Sequence, residues 1–301
     1  MKRILACFLA LLLPLSACAG PAAVSTPSAP AQTITFTREN FPRLDGSTST
    51  APLGRAIAAV LLGETEDEVA GLIQFSRTTQ SYRQLMAGER DLVIAAEPNA
   101  AVFDEMEEAG FALSMEPFAY EGLVFVVNAG NPVDSLTLEQ IQDIYTGQIT
   151  NWAEVGGRNL PIVPFQRNAE SGSQVLMEKL VMDGLPLMSP PEGNLVSTMG
   201  SLITGVMSYD NSANAIGYTV YYYAHDMEMA EGLKILRVDG VSPSAGAIRS
   251  GEYPLRNPYY VAMDARTPEE SMTYVLYHWL LGEEGQRLVA RAGYTSLLEV
   301  E

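Results

Sequence analysis

The chain has 301 residues, 47% of them hydrophobic, and carries 36 acidic against 18 basic side chains for a formal net charge of −18. That excess of acid argues against nucleic acid and anionic lipid surfaces as ligands. Two cysteines and two histidines leave little material for a disulfide framework, a thiolate metal site or a histidine-based zinc site, so no cofactor and no metal are expected.

The first eighteen residues read as an export signal. Lys2 and Arg3 precede an apolar run from Ile4 to Leu13, which Pro14 breaks before Leu15-Ser16-Ala17-Cys18. A basic start, a short apolar stretch and small residues at the end are the layout of a secretory signal. The run is too short for a membrane-spanning helix, which needs about 20 residues. The Leu-Ser-Ala-Cys ending resembles the bacterial lipobox, in which the cysteine is acylated and becomes the mature N-terminus; a plain signal peptide with a chance cysteine is the alternative. Residues 1–17 are therefore expected as a lipoprotein signal peptide, and Cys18 as the lipidation site. Acyl chains partition into a bilayer at about 0.8 kcal/mol per buried methylene. Residues 18–32 are Ala, Pro, Ser and Thr with almost nothing to bury, and are expected as a disordered tether. Fully extended, residues 19–32 would span roughly 45 Å. Loss of residues 1–17 removes Lys2 and Arg3 and no acid, taking the net charge from −18 to −20.

Short apolar segments then alternate with helical patterns. Residues 33–37 (TITFT) alternate as a strand does, and the loop LDGSTSTAP leads into a helix with Pro52 in its first turn, where a missing N–H costs nothing. GLIQF (71–75) reads as a strand, QSYRQLMAGE as a helix, DLVIAA (91–96) as a buried strand ending at Glu97-Pro98, and FDEMEEAGF as a helix. GLVFVVN (122–128) is a strand. SLTLEQIQDIYTG is a helix with Thr137 and Gln140 at capping-box spacing and Gly147 as its stop. LPIVPF is a strand and leads through a polar loop to a helix beginning near Ser171 or Ser173. MGSLITGVMSYD is a helix. AIGYTVYYYA starts as a strand, and KILRVDGV and YYVAM are strands. One long amphipathic helix is expected over 268–292. Strand, polar loop and helix in repetition make an α/β fold.

Three places set hydroxyls or small residues just before a helix: Ser47-Thr48-Ser49, Thr78-Thr79 and Ser171-Gly172-Ser173. Helix starts carry free N–H groups and about half a positive charge, and so attract anions. Ser and Thr are also the ordinary capping residues, so each place alone has that plainer reading. The third is sharper, because Arg167 lies four residues before Ser171 and a guanidinium binds two oxygens of an oxyanion in fixed geometry. Gly172 lets the backbone approach a ligand closely. A hydrolase built on Ser171 or Ser173 would need a general base nearby. Neither His225 nor His278 stands at a telling position, so enzyme activity is not expected.

The segments DGSTSTAP, SLTLEQIQDIYTGQITNWAEVGG, FQRNAESGSQ, NAIGY, VDGV and YPL resemble the phosphate-binding proteins of bacterial phosphate ABC importers, and more closely their lipoprotein branch. The resemblance covers the body from about Thr33 to the C-terminus. It implies a two-lobed type II periplasmic binding protein fold with two hinge strands and a ligand cleft. Residues 33–118 plus 255–301 would form lobe I and 119–254 lobe II, with GLVFVVN and YYVAM near the hinge crossings. It also implies anion contacts at Thr48, Ser49, Thr78, Arg167, Ser171, Gly172 and Ser173. The implied function is capture of phosphate or a related oxyanion by a monomer. The protein would be held on the extracytoplasmic face of the membrane through the lipid anchor at Cys18 and would deliver to an ABC permease, with no nucleic acid involved. One departure concerns selectivity. The family commonly carries an acid after the DLVIAA-type strand, where Ala96 stands here. Glu97 either does that work from one position along or faces solvent. Arg77, beside Thr78, either adds a contact or is simply exposed. A surface sensing, adhesion or scaffolding lipoprotein that kept the fold without transport is the alternative reading.

Overall fold

The apolar runs of the sequence become the middle strands of one mixed sheet, flanked by helices. In the computed structural model, residues 35–169, 171–197, 199–208, 212–225 and 232–300 are described. The expected signal peptide over 1–17, Cys18 and the expected tether lie outside the described residues.

The strands in chain order are β1 (Leu44–Gly46), β2 (Leu92–Ala95), β3 (Leu113–Asn128), β4 (Ser135–Leu136), β5 (Val163–Pro164) and β6 (Gln166–Arg167). They continue with β7 (Leu195–Val196), β8 (Ala215–Val220), β9 (Leu233–Ile235), β10 (Arg237–Val238), β11 (Arg256–Asp264) and β12 (Thr295–Ser296). The main sheet has the order β1-β2-β11-β3-β8-β5, with β9 and β12 also pairing β3. β3 is its spine. From Leu113 to Gly122 it runs antiparallel to β11, and from Leu123 to Val127 antiparallel to β8. One uninterrupted strand thus belongs to two neighbourhoods. Phe118, Ala119 and every residue from Leu123 to Val127 are fully buried, as expected for a strand covered on both faces.

Local chemistry places the helix ends that matter. Thr137 and Gln140 form the reciprocal capping box at the start of Leu138–Thr146, and Gly147 ends that helix in the left-handed region at φ 84°. Pro52 sits in the first turn of Ala51–Leu62. Gly46, at the end of β1, has no room for a side chain, since a β-carbon there would lie 2.1 Å from the Ile94 carbonyl oxygen. Glycine at this position lets β1 close against β2 and aims the following SerThrSerThr loop.

Three expected elements differ. GLIQF is not a strand, because its donors go elsewhere. The Leu72 and Ile73 amides turn back to the Val69 carbonyl, and the Ser76 amide goes to the Asp45 carboxylate. Of 33–37, residues 33 and 34 lie outside the described set. Thr37 opens a turn, its amide donating to Asn40 Oδ1 at 2.7 Å. The long helix over 268–292 is two helices, Met272–Leu281 and Glu283–Arg291, parted at Gly282, whose extended backbone (ψ 170°) stops the first and starts the second. Gln286, fully buried, donates to the carbonyls of Phe118 and Leu280 and fixes that corner.

Candidate functional site

The first loop, Ser47 to Thr50, is a closed knot of hydroxyls. Ser47 Oγ lies 2.8 Å from Ser49 Oγ and 3.0 Å from Thr50 Oγ1. Thr50 Oγ1 donates to the Ile94 carbonyl at 2.6 Å, which ties the loop to β2. Ser49 Oγ also meets the Tyr259 hydroxyl at 2.8 Å, and the Ser49 carbonyl accepts from the Tyr294 hydroxyl at 2.6 Å. Thr48 is exposed, and its carbonyl accepts from the Tyr223 hydroxyl at 3.1 Å.

Asp45 couples this loop to the second. It is fully buried. Its carboxylate accepts from the Gly46 amide at 2.7 Å, the Ser76 amide at 2.7 Å and the Ser76 hydroxyl at 2.6 Å, and pairs with Arg90. The Arg77 amide then donates to the Gly46 carbonyl at 3.1 Å. Arg77 takes φ 88° as the residue capping the helix Thr78–Met86, an unusual backbone for a residue with a β-carbon. Thr78, the next residue, is buried at 1% exposure, and its hydroxyl oxygen has no hydrogen-bond partner among the described residues.

The third loop arrives from the other neighbourhood of the sheet. β6 carries Arg167 into the interior at 5% exposure. The Arg167 backbone amide donates to the Tyr218 hydroxyl at 3.0 Å and to Gln174 Oε1 at 3.3 Å. Its guanidinium donates to Ser173 Oγ and to the Ser197 carbonyl, each at 3.3 Å. Burial is the largest influence on this guanidinium and lowers its pKa; Tyr218 and Tyr223 act the other way, and Arg77 adds to the lowering. A cation held against its own hydration, and within the field of a second cation, is a seat for an anion. Ser171 caps the helix that follows, its hydroxyl accepting from the Gln174 amide at 3.2 Å. Gly172 opens the helix, and a β-carbon on it would lie 3.4 Å from Thr78 Oγ1.

The three sequence-predicted places therefore meet. Gly172 faces Thr78 across the space a β-carbon would fill, Arg167 bonds Ser173, and Tyr223 joins Thr48 to the electrostatic surroundings of Arg167. Glu97 is positioned differently. It is half-exposed and ion-paired with Lys179, on the helical segment that continues from Gly172. The pair lines a separate hollow with Phe103 and Val175. Arg77 is exposed and lines a cavity of about 170 Å³ with Ser76, Thr79 and Gln80.

Sequence reasoning passed over the supporting tyrosines Tyr218, Tyr223 and Tyr259 and the carboxylates Asp45 and Glu121. A signal existed for two of them. An aspartate directly before the glycine of a hydroxyl-rich loop is placed to accept backbone amides, and a glutamate inside an apolar strand run stands out as a charge that must be satisfied. The tyrosines carry no such mark, because an aromatic run reads as core.

A mixed sheet with a long central strand, and helix starts converging from its two neighbourhoods on a basic, hydroxyl-lined point, defines a class: the two-lobed α/β binding proteins of type II periplasmic architecture. Comparison with known proteins agrees. A family model for the PBP superfamily domain matches residues 26–283, and the chain belongs to that family. It is 27% identical over 214 residues to the phosphate-binding protein PstS of Bacillus subtilis, covering 70% of this chain and 66% of that one. It is 25% identical over 185 residues to the PstS of Borreliella burgdorferi, covering 60% of this chain and 64% of the other. The match thus spans slightly less than two thirds of these relatives' lengths. A Clostridium perfringens substrate-binding protein named for phosphate ABC transport, solved with phosphate bound, superposes with a TM-score of 0.66 at 27% identity. That superposition covers 85% of this chain and 98% of the other. These relatives are named as binding and transport proteins, not as enzymes.

Proposed function

We propose that the protein captures inorganic phosphate, or a closely related oxyanion, outside the cytoplasm and delivers it to an ABC permease. We further propose that it works as a monomer held to the membrane by acyl chains on Cys18. One observation carries the reading. The buried hydroxyl of Thr78, without a hydrogen-bond partner among the described residues, faces the side-chain-free backbone of Gly172, within the loop that Arg167 opens. Thr48, Ser49, Thr78, Arg167, Gly172 and Ser173 are the proposed contacts, with Ser171 holding the helix start. Glu97 is the proposed group for discriminating protonated phosphate from sulfate, and it would have to exchange its Lys179 partner to do so.

The lobes are assigned as 33–118 plus 255–301 and 119–254. Thr78 then comes from one and Gly172 from the other, and β3 carries the chain across. An anion accepting from both would favour the closed arrangement. Charge-assisted hydrogen bonds of about 1.5–3 kcal/mol each support this, because several act together on one small ligand.

The test is a melting-temperature panel with phosphate, phosphonate and sulfate, followed by calorimetry. Phosphate at a hundredfold excess over Kd should add about 2.7 kcal/mol to stability. Absence of a shift with every oxyanion would remove the reading. In a Glu97→Ala variant, loss of the preference for phosphate over sulfate would assign that side chain to selectivity, and an unchanged preference would assign it to the Lys179 pair alone. Cys18→Ala should release the protein from membranes.

A further inference from the structure

The carbonyls of the first anion loop are all held, but not from the same side. The Gly46 carbonyl accepts from the Arg77 amide at 3.1 Å, and the Ser47 carbonyl accepts from the Thr50 amide and the Thr50 hydroxyl, each at 3.1 Å. The Ser49 carbonyl accepts from the Tyr294 hydroxyl at 2.6 Å. Those donors all belong to 33–118 and 255–301, the stretches assigned to lobe I. The Thr48 carbonyl differs: its donor among the described residues is the Tyr223 hydroxyl at 3.1 Å, from the stretch assigned to lobe II. The peptide joining Thr48 to Ser49 is also open at its other end, because the Ser49 amide has no hydrogen-bond partner among the described residues. The next peptide is closed at both ends, since the Thr50 amide donates to Ser47.

A trans peptide is a rigid plane whose N–H points opposite to its C=O. Whatever holds the Thr48 carbonyl therefore aims the Ser49 N–H. We propose that Tyr223 is a positioning residue: its phenol fixes the peptide between Thr48 and Ser49 so that the Ser49 amide hydrogen, and not the Thr48 carbonyl oxygen, is offered to a bound oxyanion. This role rests on the oxyanion reading of the site and on the lobe assignment given with it. Donor and acceptor come from different lobes, so the peptide is set only when the lobes meet. Closure thus completes a donor in the first loop at the same moment as it brings up Arg167 and Gly172. With the phenol gone the peptide is free to turn, and a carbonyl oxygen facing a dianion repels it where an N–H would bond it.

Tyr223 reaches the loop because of where β8 ends. Its last residue, Val220, pairs with Leu123, next to the point where β3 changes partners, and the chain passes straight into the short helix Tyr221–His225. Tyr222 stacks on Tyr294 with ring centroids 4.0 Å apart and planes 12° apart, which seats this helix against the lobe that carries the loop. Tyr223 stands edge-on to Tyr222, with 5.7 Å between centroids. Tyr294 thus meets the helix with its ring and the loop with its hydroxyl, one carbonyl along from the one Tyr223 holds. A tyrosine suits this task because it has only two side-chain torsions to fix, and ring packing already restrains them.

The test is phosphate calorimetry on the wild type, Tyr223→Phe and Tyr253→Phe, joined to NMR of each protein carrying isotope-labelled serine. Tyr253 is the control: it is buried, and its hydroxyl donates at 2.8 Å to the Leu123 carbonyl of β3 rather than to an anion loop. Tyr253→Phe should lower the melting temperature and leave the phosphate Kd unchanged, which is what a lost phenol bond does by structure alone. Tyr223→Phe should leave the ligand-free melting temperature unchanged and weaken phosphate binding about threefold to tenfold, as loss of one net hydrogen bond does. Saturation with phosphate should move the Ser49 amide proton downfield in the wild type and in Tyr253→Phe, and clearly less in Tyr223→Phe. A wild-type Kd in Tyr223→Phe, or a Ser49 resonance that moves as far there as in the wild type, overturns the positioning role and leaves the phosphate reading standing. Failure of the wild type to bind phosphate overturns that reading, and the role of Tyr223 with it.

Discussion

Replacing Arg167 with alanine should separate binding from folding. The guanidinium is buried, donates to two neutral oxygens at 3.3 Å, and has its pKa lowered chiefly by burial. Without ligand its charge is therefore disfavoured, and removing it sheds a desolvation cost while giving up hydrogen bonds and some packing. These terms oppose each other, so the ligand-free melting temperature should move by only a few degrees, at roughly 2–4 °C per kcal/mol for a body of this size. With a dianion present the balance reverses. Two parallel charge-assisted bonds at about 1.5–3 kcal/mol each give about 3–6 kcal/mol, or roughly a 10² to 10⁴ loss of affinity. Calorimetry with phosphate measures the loss, and a melting scan with and without phosphate measures both terms in one series. Unchanged affinity would refute the role given to Arg167. A ligand-free protein that melts far lower would show that the guanidinium holds the fold rather than the anion.

Gly172→Val should weaken phosphate binding by at least tenfold while sparing the fold, because the added atoms project toward Thr78 Oγ1 from a β-carbon only 3.4 Å away; calorimetry and a melting scan check the two halves of that statement. Asp45→Asn should lower stability by about 2–3 kcal/mol, since a buried acceptor of three donors and an arginine becomes a neutral group that must also place its own N–H bonds; urea unfolding measures it. Glu121 has a sign to its pH dependence. Its folded pKa of about 8 lies above the ordinary 4.5. The folded state thus keeps a proton that the unfolded chain loses, and this group's contribution makes stability fall as pH rises from about 4.5 to 8. Glu121→Gln should flatten that slope by a few kcal/mol across the window, and equal slopes in denaturant titrations would contradict it.

Much of this arrangement was legible in the chain because it is written in local chemistry. Pro52, the Thr137–Gln140 box and Gly147 mark helix ends by rules that operate within four residues, and all three stand where expected. The Arg167-to-Ser173 spacing likewise gave the third loop, since the residues that shape it are sequence neighbours. Longer-range effects were hidden. GLIQF has strand composition, yet its Leu72 and Ile73 amides turn back to Val69, and the Asp45 carboxylate, 31 residues earlier in the chain, claims the amide of Ser76 directly after it. The pairing of Glu97 with Lys179, 82 residues away, is likewise invisible to any local pattern. Gly282 stood inside an unbroken amphipathic period, and only the corner fixed by Gln286 shows why the helix stops there. The tyrosines that buttress the loops could not be told from core aromatics, because their hydroxyl partners come from other loops and strands.

The backbone of Arg77 has a consequence for how such a protein ages in evolution. At φ 88° it holds a conformation that costs a residue with a β-carbon about 1–3 kcal/mol. A single change to glycine would release much of that and yield a hardier molecule. The same change would strip a cation from the rim of the loops where Arg167 waits. Selection for heat tolerance and selection for scavenging scarce anions would pull this one codon in opposite directions.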